Sequence, residues 1–304
     1  MVDNKQILEA ARILREGGLV VFPTETVYGL GANALDADAV RKIYALKGRP
    51  VTSPLIVHVT CVEQARELAA EWAPEADRLA REHWPGPLTL VVPKKSVIPD
   101  EVTAGLKTVG LRMPRHPVAL ALLQAAGIPI AAPSANRFTG LSPTTADHVR
   151  TAFGAETPFL LDGGPCEVGL ESTVIAVTSD GLEILRPGMA SVEGATPGAI
   201  MPPQDGSHRA PGQHLKHYSP RTRVVLVNRG HLPGQGRGAY LWLSYNAAAA
   251  EKHRMPEKPE DYAAKLYSDL HDLDQKGFDW IAVELPLDEP EWAAIRDRLM
   301  RAAY

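Results

Sequence analysis

The sequence predicts an α/β protein built from a larger unit on a twisted, mixed sheet and a smaller Rossmann-like unit. Three observations carry this. Residues 1–200 mix short apolar runs with helical patterns, without the strict alternation of an all-parallel sheet. Residues 201–222 are poor in apolar residues and rich in Pro, Gly and His, which reads as a linker. Residues 223–304 then run strand, strand, helix, strand, helix. The 304-residue length suits two domains of about 100–200 residues each.

Taken in order, residues 6–15 are helical because Ile7, Ala10, Ala11 and Leu14 recur at the helix period and Gly17-Gly18 ends the pattern. Residues 19–22 read as a buried strand entering a polar loop over residues 23–31. Residues 37–46 form the second helix, with Val40, Ile43 and Tyr44 on one face and Gly48 just past its end. Strands are expected at 55–59, 88–92, 109–113, 128–132, 159–161, 172–177 and 182–185, and helices at 62–70, 73–82, 117–126 and 144–153. Ser142 before Pro143 reads as an N-cap with Pro at the first helical position. Beyond the linker, strands are expected at 224–227, 239–243 and 280–285, and helices at 261–276 and 289–301. That unit carries no Gly-rich dinucleotide fingerprint.

Composition narrows the class of function. With 32 Lys plus Arg against 36 Asp plus Glu, the net charge of −4 argues against a general basic coat for nucleic acid, while leaving room for a local positive cleft. Two cysteines, Cys61 and Cys166, make neither a disulfide framework nor a four-thiolate zinc site. The polar start, Met-Val-Asp-Asn-Lys, has no apolar leader, and no apolar run approaches the roughly 20 residues of a membrane span. A cytoplasmic, loop-rich enzyme is expected.

Several stretches could carry chemistry, each with a plain structural alternative. Lys47-Gly48-Arg49-Pro50 sends two cations out of a helix end. They complement the negative end of the dipole there, or clamp phosphate, with Lys as a point charge and Arg as a fork. Pro133-Ser134-Ala135-Asn136 follows an apolar strand, where α/β sheets bind ligands, although Ser and Asn also simply favour turns. Thr108, Gly110 and Arg112 share one strand face, which suggests a cleft wall. His58 interrupts an apolar strand, and such a lone histidine is more often structural. Arg186-Pro187-Gly188 ends a strand with a cation, and Glu171-Ser172-Thr173 opens one. His208, His214 and His217 invite a metal reading, but they lie in the linker without nearby cysteine. No phosphate loop, kinase signature or nucleophile elbow is present.

Together the stretches resemble a family. Phe22-Pro-Thr-Glu-Thr-Val-Tyr-Gly-Leu-Gly31, Lys47-Gly-Arg49-Pro, Pro54-Leu-Ile-Val-His58 and Trp84-Pro-Gly-Pro-Leu-Thr89 are similar to the motifs of the threonylcarbamoyl-AMP synthases, the YrdC/TsaC family. Leu111-Arg-Met-Pro114, Ala132-Pro-Ser-Ala-Asn136, Ser142-Pro-Thr144, Asp162-Gly-Gly164, Glu171-Ser-Thr173 and Leu185-Arg-Pro-Gly188 continue the likeness in order. Lys216-His217-Tyr218-Ser219-Pro220 resembles the linker motif of the longer, two-domain members. The end of the chain, Arg296 to Ala303, departs from their usual Asn-Arg-x-x-Lys-Ala-Ser segment.

The resemblance implies a YrdC-like domain over residues 1–200, a linker over 201–222 that contributes to the active site, and a small Rossmann-like domain over 223–304. It implies an enzyme, a nucleotidyltransferase that joins L-threonine, bicarbonate or CO2, and ATP into L-threonylcarbamoyl-adenylate and releases pyrophosphate. That product feeds N6-threonylcarbamoyladenosine formation at position 37 of tRNA, through a threonylcarbamoyltransferase complex, with weak tRNA binding also implied. On this sequence, Lys47, Arg49, Ser53, Thr108, Ser134, Asn136, Ser142 and Arg186 would hold ATP, Lys47 and Arg49 being the catalytic pair. Tyr218, with His217, would fold the linker over the nucleotide. Thr26, His58, Arg112 and Ser172 would hold L-threonine, Arg112 pairing its carboxylate. Mg2+ would come on the ATP phosphates, without protein ligands. Two rivals remain: an RNA-binding module, and a carbamoyl-transfer enzyme of hydrogenase maturation, whose Cys-rich zinc modules two cysteines cannot supply.

Overall fold

Asp3 starts the first helix by accepting from the Gln6 backbone N–H while the Gln6 side chain bonds back to the Asp3 backbone. In the computed structural model, which describes residues 2–198, 209–212 and 217–304, this helix is α1 (Asn4–Arg15), and it buries Ile7, Ala10, Ala11 and Leu14 as the periodicity requires. β1 (Val20–Phe22) comes next. The sequence reading keeps the next loop going to Gly31, but the chain enters β2 (Gly29–Asn33) at Gly29. This strand carries almost no side-chain signal because it passes the Phe22 ring, where a Cβ on Gly31 would come within 2.8 Å.

α2 (Ala37–Lys47) is capped by Asp36 and stops at Gly48, in the left-handed region at φ 64°. Then come β3 (Ile56–His58), α3 (Val62–Leu68), α4 (Pro74–His83), β4 (Leu88–Pro93), α5 (Asp100–Thr103), β5 (Thr108–Arg112), α6 (Pro117–Ala126), β6 (Ile130–Ala131), α7 (Ala146–Phe153), β7 (Phe159–Leu160), β8 (Thr173–Thr178), β9 (Gly181–Arg186) and β10 (Ala195–Pro197). Ser142 does not cap α7. Thr145 does, accepting from His148 N at 3.3 Å, and the Ser142 hydroxyl turns to Glu171 instead. A buried carboxylate binds the hydroxyl more strongly than one more helix N–H would.

The ten strands form one sheet in the order β10-β9-β8-β4-β5-β3-β6-β2-β1-β7, with parallel and antiparallel pairs mixed. Two registers set the places of buried charged residues. β3 and β5 pair in parallel with His58 opposite Arg112, and β8 and β9 pair with Val174 opposite Arg186. α1 and α6 pack together on one face of the sheet in an apolar cluster with Val20, Phe22 and Ile130, while α2, α3 and α4 contribute to the larger cluster with Val57, Leu90 and Leu111.

The second unit is a four-stranded, all-parallel sheet in the order β11-β14-β12-β13, from β11 (Arg223–Val227), β12 (Gly238–Trp242), β13 (Glu251–Arg254) and β14 (Trp280–Glu284), with α8 (Pro259–Asp274) and α9 (Ala293–Ala302). β13 escapes the sequence reading because Glu-Lys-His-Arg is a charged edge strand with no apolar alternation. The two units share a core: Val27, Leu141 and Leu170 of the first pack in one cluster with Tyr218 and with Tyr262, Leu266 and Leu270 of α8. Gly169, at φ 75°, permits that approach, since a Cβ there would lie 2.5 Å from the Ala263 carbonyl. Among the described residues, no helix is long and apolar enough to cross a membrane.

Candidate active site

Strand ends and loops of the large sheet converge on one cavity of about 520 Å3, counted to its open mouth. The loop after β1 contributes Thr24, Thr26 and Val27; β3 contributes His58 and β5 Arg112; the loop after β6 contributes Pro133 and Ser134; residues entering β8 contribute Glu171 and Ser172; and Arg186 ends β9. Arg49 enters from the end of α2, and Pro211, Gly212, His217 and Tyr218 complete the lining.

Of the residues expected to form the site, Thr26, Arg49, His58, Ser134, Arg112, Ser172, Arg186 and Tyr218 line this cavity. Lys47, Ser53, Asn136 and Ser142 stand behind it as supports. Lys47 Nζ donates to the Ser134 and Asn136 carbonyls at 2.6 and 2.5 Å, so it holds the loop that presents Ser134. Asn136 closes the same loop with bonds from its amide to Arg137 O and Gly140 O, both 2.8 Å, and takes the Ser134 hydroxyl at 2.6 Å. Ser53 Oγ accepts from Arg49 Nη2 at 2.6 Å. Thr108 is not brought to the cavity; it lines a smaller one beside Gly110, Arg209 and Pro211. His208, His214 and Lys216 lie outside the described residues.

The charged groups are unusually crowded for buried side chains. Arg49, Arg112 and Arg186 are 6%, 3% and 5% exposed. Arg112 donates from Nη2 to Glu25 at 2.7 Å and from Nε to Gly86 O at 3.3 Å. Arg186 donates to Ser172 O from Nε and Nη2, to Ser172 Oγ from Nη2, and to Pro211 O from Nη1. Burial pulls the Arg49 guanidinium down to about 10, and the charge of Arg186 adds to the effect. Burial likewise lowers Arg186, with Arg298 pressing the same way. Lys47 sits well below its ordinary value because it is buried and faces Arg49. His58 is pushed down to about 3 by burial and then by Arg112, so its ring is neutral. The buried Arg49 Nε, at the cavity wall, has no hydrogen-bond partner among the described residues. Buried polar atoms at a cavity wall that lack protein partners point to ligand or solvent as their partner.

A family model described as Telomere recombination matches residues 12–188, and one described as Threonylcarbamoyl-AMP synthase, C-terminal domain, matches residues 177–304. The threonylcarbamoyl-AMP synthase of Pyrococcus abyssi is 38% identical over 323 residues, covering 99% of this chain and 95% of that protein. The chain belongs to the threonylcarbamoyl-AMP synthase family. The family's Bacillus subtilis member is 39% identical over 324 residues, covering 99% of this chain and 94% of its own length. The crystal structure of P. abyssi Sua5 complexed with L-threonine superposes with a TM-score of 0.90 at 38% identity, covering 100% of this chain and 95% of that one.

Sequence reasoning assigns no role to three residues of this family member. Glu25 is 2% exposed and takes Arg112 Nη2 and the Arg115 backbone N–H. Burial pushes its carboxyl up, yet Arg112 outweighs that and holds it below the ordinary range. Glu171 accepts from Ser142 Oγ at 2.5 Å and Arg298 Nε at 2.8 Å. Arg298, on α9, is 0% exposed. The signal that could have found it is periodicity: Ile295, Arg298, Leu299 and Ala302 share the buried face of α9, so a cation stands where an apolar residue belongs.

Proposed function

We propose that this chain makes L-threonylcarbamoyl-adenylate from L-threonine, bicarbonate or CO2, and ATP, releasing pyrophosphate, as the first step of N6-threonylcarbamoyladenosine formation on tRNA. The observation that carries this is the crowding of Arg49, Arg112 and Arg186 around one cavity, where Glu171 alone among the described lining residues brings negative charge. Desolvated cations are relieved by a polyanion, and a nucleoside triphosphate together with an amino-acid carboxylate supplies that charge. The likeness to the threonine complex of P. abyssi Sua5 supports the choice of amino acid.

In this reading Arg112, held on one edge by Glu25, turns its other edge to the threonine carboxylate, and Thr26 and Ser172 bound the side chain. His58 is neutral and acts as a hydrogen-bond partner for the amine or hydroxyl, not as a cation. The neutral amine nitrogen bonds to CO2 and loses a proton, giving a carbamate. A carbamate oxygen then bonds to the α-phosphorus as the bond to the bridging oxygen breaks, and pyrophosphate leaves. Because the nucleophile is already ionised, alignment and charge neutralisation carry the step. Arg49 and Arg186 take the phosphates, Ser134 and Tyr218 flank the nucleotide, and Lys47, Ser53, Asn136 and Ser142 hold those groups in place.

Mg2+ enters as part of the nucleotide substrate. Glu25 and Glu171 both give oxygens to arginine, and no group of three His, Cys, Asp or Glu suited to a metal occurs among the described residues. The domain limits at residues 1–200 and 223–304, a linker over 201–222 that brings Tyr218 to the site, a cytoplasmic location and transfer of the product to a tRNA threonylcarbamoyltransferase complete the reading. The test is pyrophosphate release from ATP and bicarbonate with and without L-threonine, with the adenylate sought by mass. Release that ignores threonine would sink the reading; a steeply salt-dependent affinity for tRNA with no release would favour an RNA-binding module.

A further inference from the structure

One side chain reaches the wall of the cavity, behind Glu171, from the far end of the chain. Arg298 projects from α9 across the interface and is the bulkiest of the fully buried side chains. Its Nε donates to Glu171 Oε2 at 2.8 Å, its Nη2 to Pro187 O at 3.0 Å and its Nη1 to Asp297 at 2.6 Å. Its Cζ stands 5.0 Å from the centre of the Tyr218 ring. The other oxygen of Glu171 takes the Ser142 hydroxyl at 2.5 Å. One guanidinium therefore touches the carboxylate that lines the cavity, the turn just after Arg186, and the aromatic face of Tyr218.

Stability alone does not account for this arrangement. Removing a guanidinium and a carboxylate from water is costly, and a well-packed apolar residue on α9 would hold the interface at least as well. What an ion pair adds is direction: fixed donors, a fixed carboxylate plane and a fixed charge. Facing Glu171 are Arg298 from α9, Tyr267 from α8, Arg186 at the end of β9, and Ser142. Burial pushes the Glu171 carboxyl up, but Arg298 first and Arg186 second outweigh it, so the group stays ionised.

We propose that Arg298 is a positioning residue for the nucleotide side of the cavity, fixing Glu171 and through it Ser142, and setting the Pro187 turn and the Tyr218 ring. The C-terminal unit is then a working part of the site, supplied by one side chain. This rests on reading Arg186 and Tyr218 as groups around ATP, with Ser142 supporting them from behind the cavity.

The test compares the full-length wild type with R298M, R298K and R298M/E171Q. Calorimetry with ATP and no threonine is run beside threonine-dependent pyrophosphate release from about pH 5 to pH 8. R298M is expected to bind ATP about tenfold or more weakly, with KM for L-threonine little changed. It should also gain an acid limb, because Glu171 without its partner takes up a proton at higher pH. R298M/E171Q loses that limb and keeps the weak ATP binding. R298K, with charge but no fork, has no acid limb and binds ATP weakly. Folded R298M with wild-type ATP affinity and an unchanged pH profile overturns the proposal, as does an equal loss for ATP and threonine. Should R298M fail to fold, wild-type ATP affinity in R298K or in the double variant overturns it equally. A wild type that binds ATP but shows no threonine-dependent release defeats the assigned reaction and leaves the Arg298 comparison readable by calorimetry.

Discussion

Arg49 turns Nη2 onto Ser53 and Pro54 and leaves Nε without an acceptor among the described residues, whereas Lys47, two positions earlier, gives its ammonium to the loop behind the cavity. The sequence presents both as equivalent cations leaving one helix; which one is a strut depends on where α2 ends relative to residues 134–136. Their alanine variants should therefore fail differently. R49A is expected to stay folded and lose turnover by about a hundredfold, as misplaced reacting groups do, checked by initial rates of pyrophosphate release. K47A takes the ammonium donor from the Asn136 carbonyl and leaves the Ser134 carbonyl only the Asn136 backbone N–H, and should lose about 1–3 kcal/mol of stability, checked by urea unfolding. Near wild-type rates in R49A would remove the clamp. The site's cations were legible in the sequence because each closes a strand or helix or stands just past its end. Its carboxylates were not: Glu25 and Glu171 gain their meaning only from Arg112 and Arg298, which are far away in the chain.

Among the elements, the long strands and helices were legible because burial enforces their period, while β2, β10 and β13 were not. β2 is built of small residues threaded past Phe22, and the other two are short edge strands with exposed or charged positions. At the strand ends of the small sheet, which has no glycine fingerprint, the chain pairs its own backbone donors with a carboxylate. Glu284, closing β14, accepts the backbone N–H groups of Leu243, Ser244 and Tyr245 at 2.8, 3.0 and 3.1 Å, so the chain's own carboxylate fills the anion seat beyond β12. E284A is expected to lose about 1–3 kcal/mol in chemical denaturation. Between the units, His148 of α7 stacks on His271 of α8 with ring centres 3.9 Å apart, and burial followed by His271 lowers His148 to about 4. Below its unfolded value of about 6.5 the unfolded chain takes up the proton first, so this stabilisation is full above that pH and fades as pH falls towards about 4. H148F should flatten the fall of Tm with acid across that window.

For the whole molecule, the sequence suggested two units and a breaker-rich joint, but nothing in it showed that the units share a core. Val27, Leu141 and Leu170 are buried against α8, and each would gain exposure worth about 1.5–3 kcal/mol if that cover were lost. A chain cut before Ala210 is accordingly expected to show no turnover and to associate through this face, read by size-exclusion chromatography and the pyrophosphate assay; full activity would leave Tyr218 and the C-terminal unit no part in the chemistry. Arg49 and Arg186, lining the cavity, also bear on the direction of turnover. Groups that draw in a triphosphate retain pyrophosphate with similar strength once it has formed. Under this reading the enzyme is slowed by its own leaving group, pyrophosphate competes with ATP, and sustained flux depends on a hydrolase that removes it.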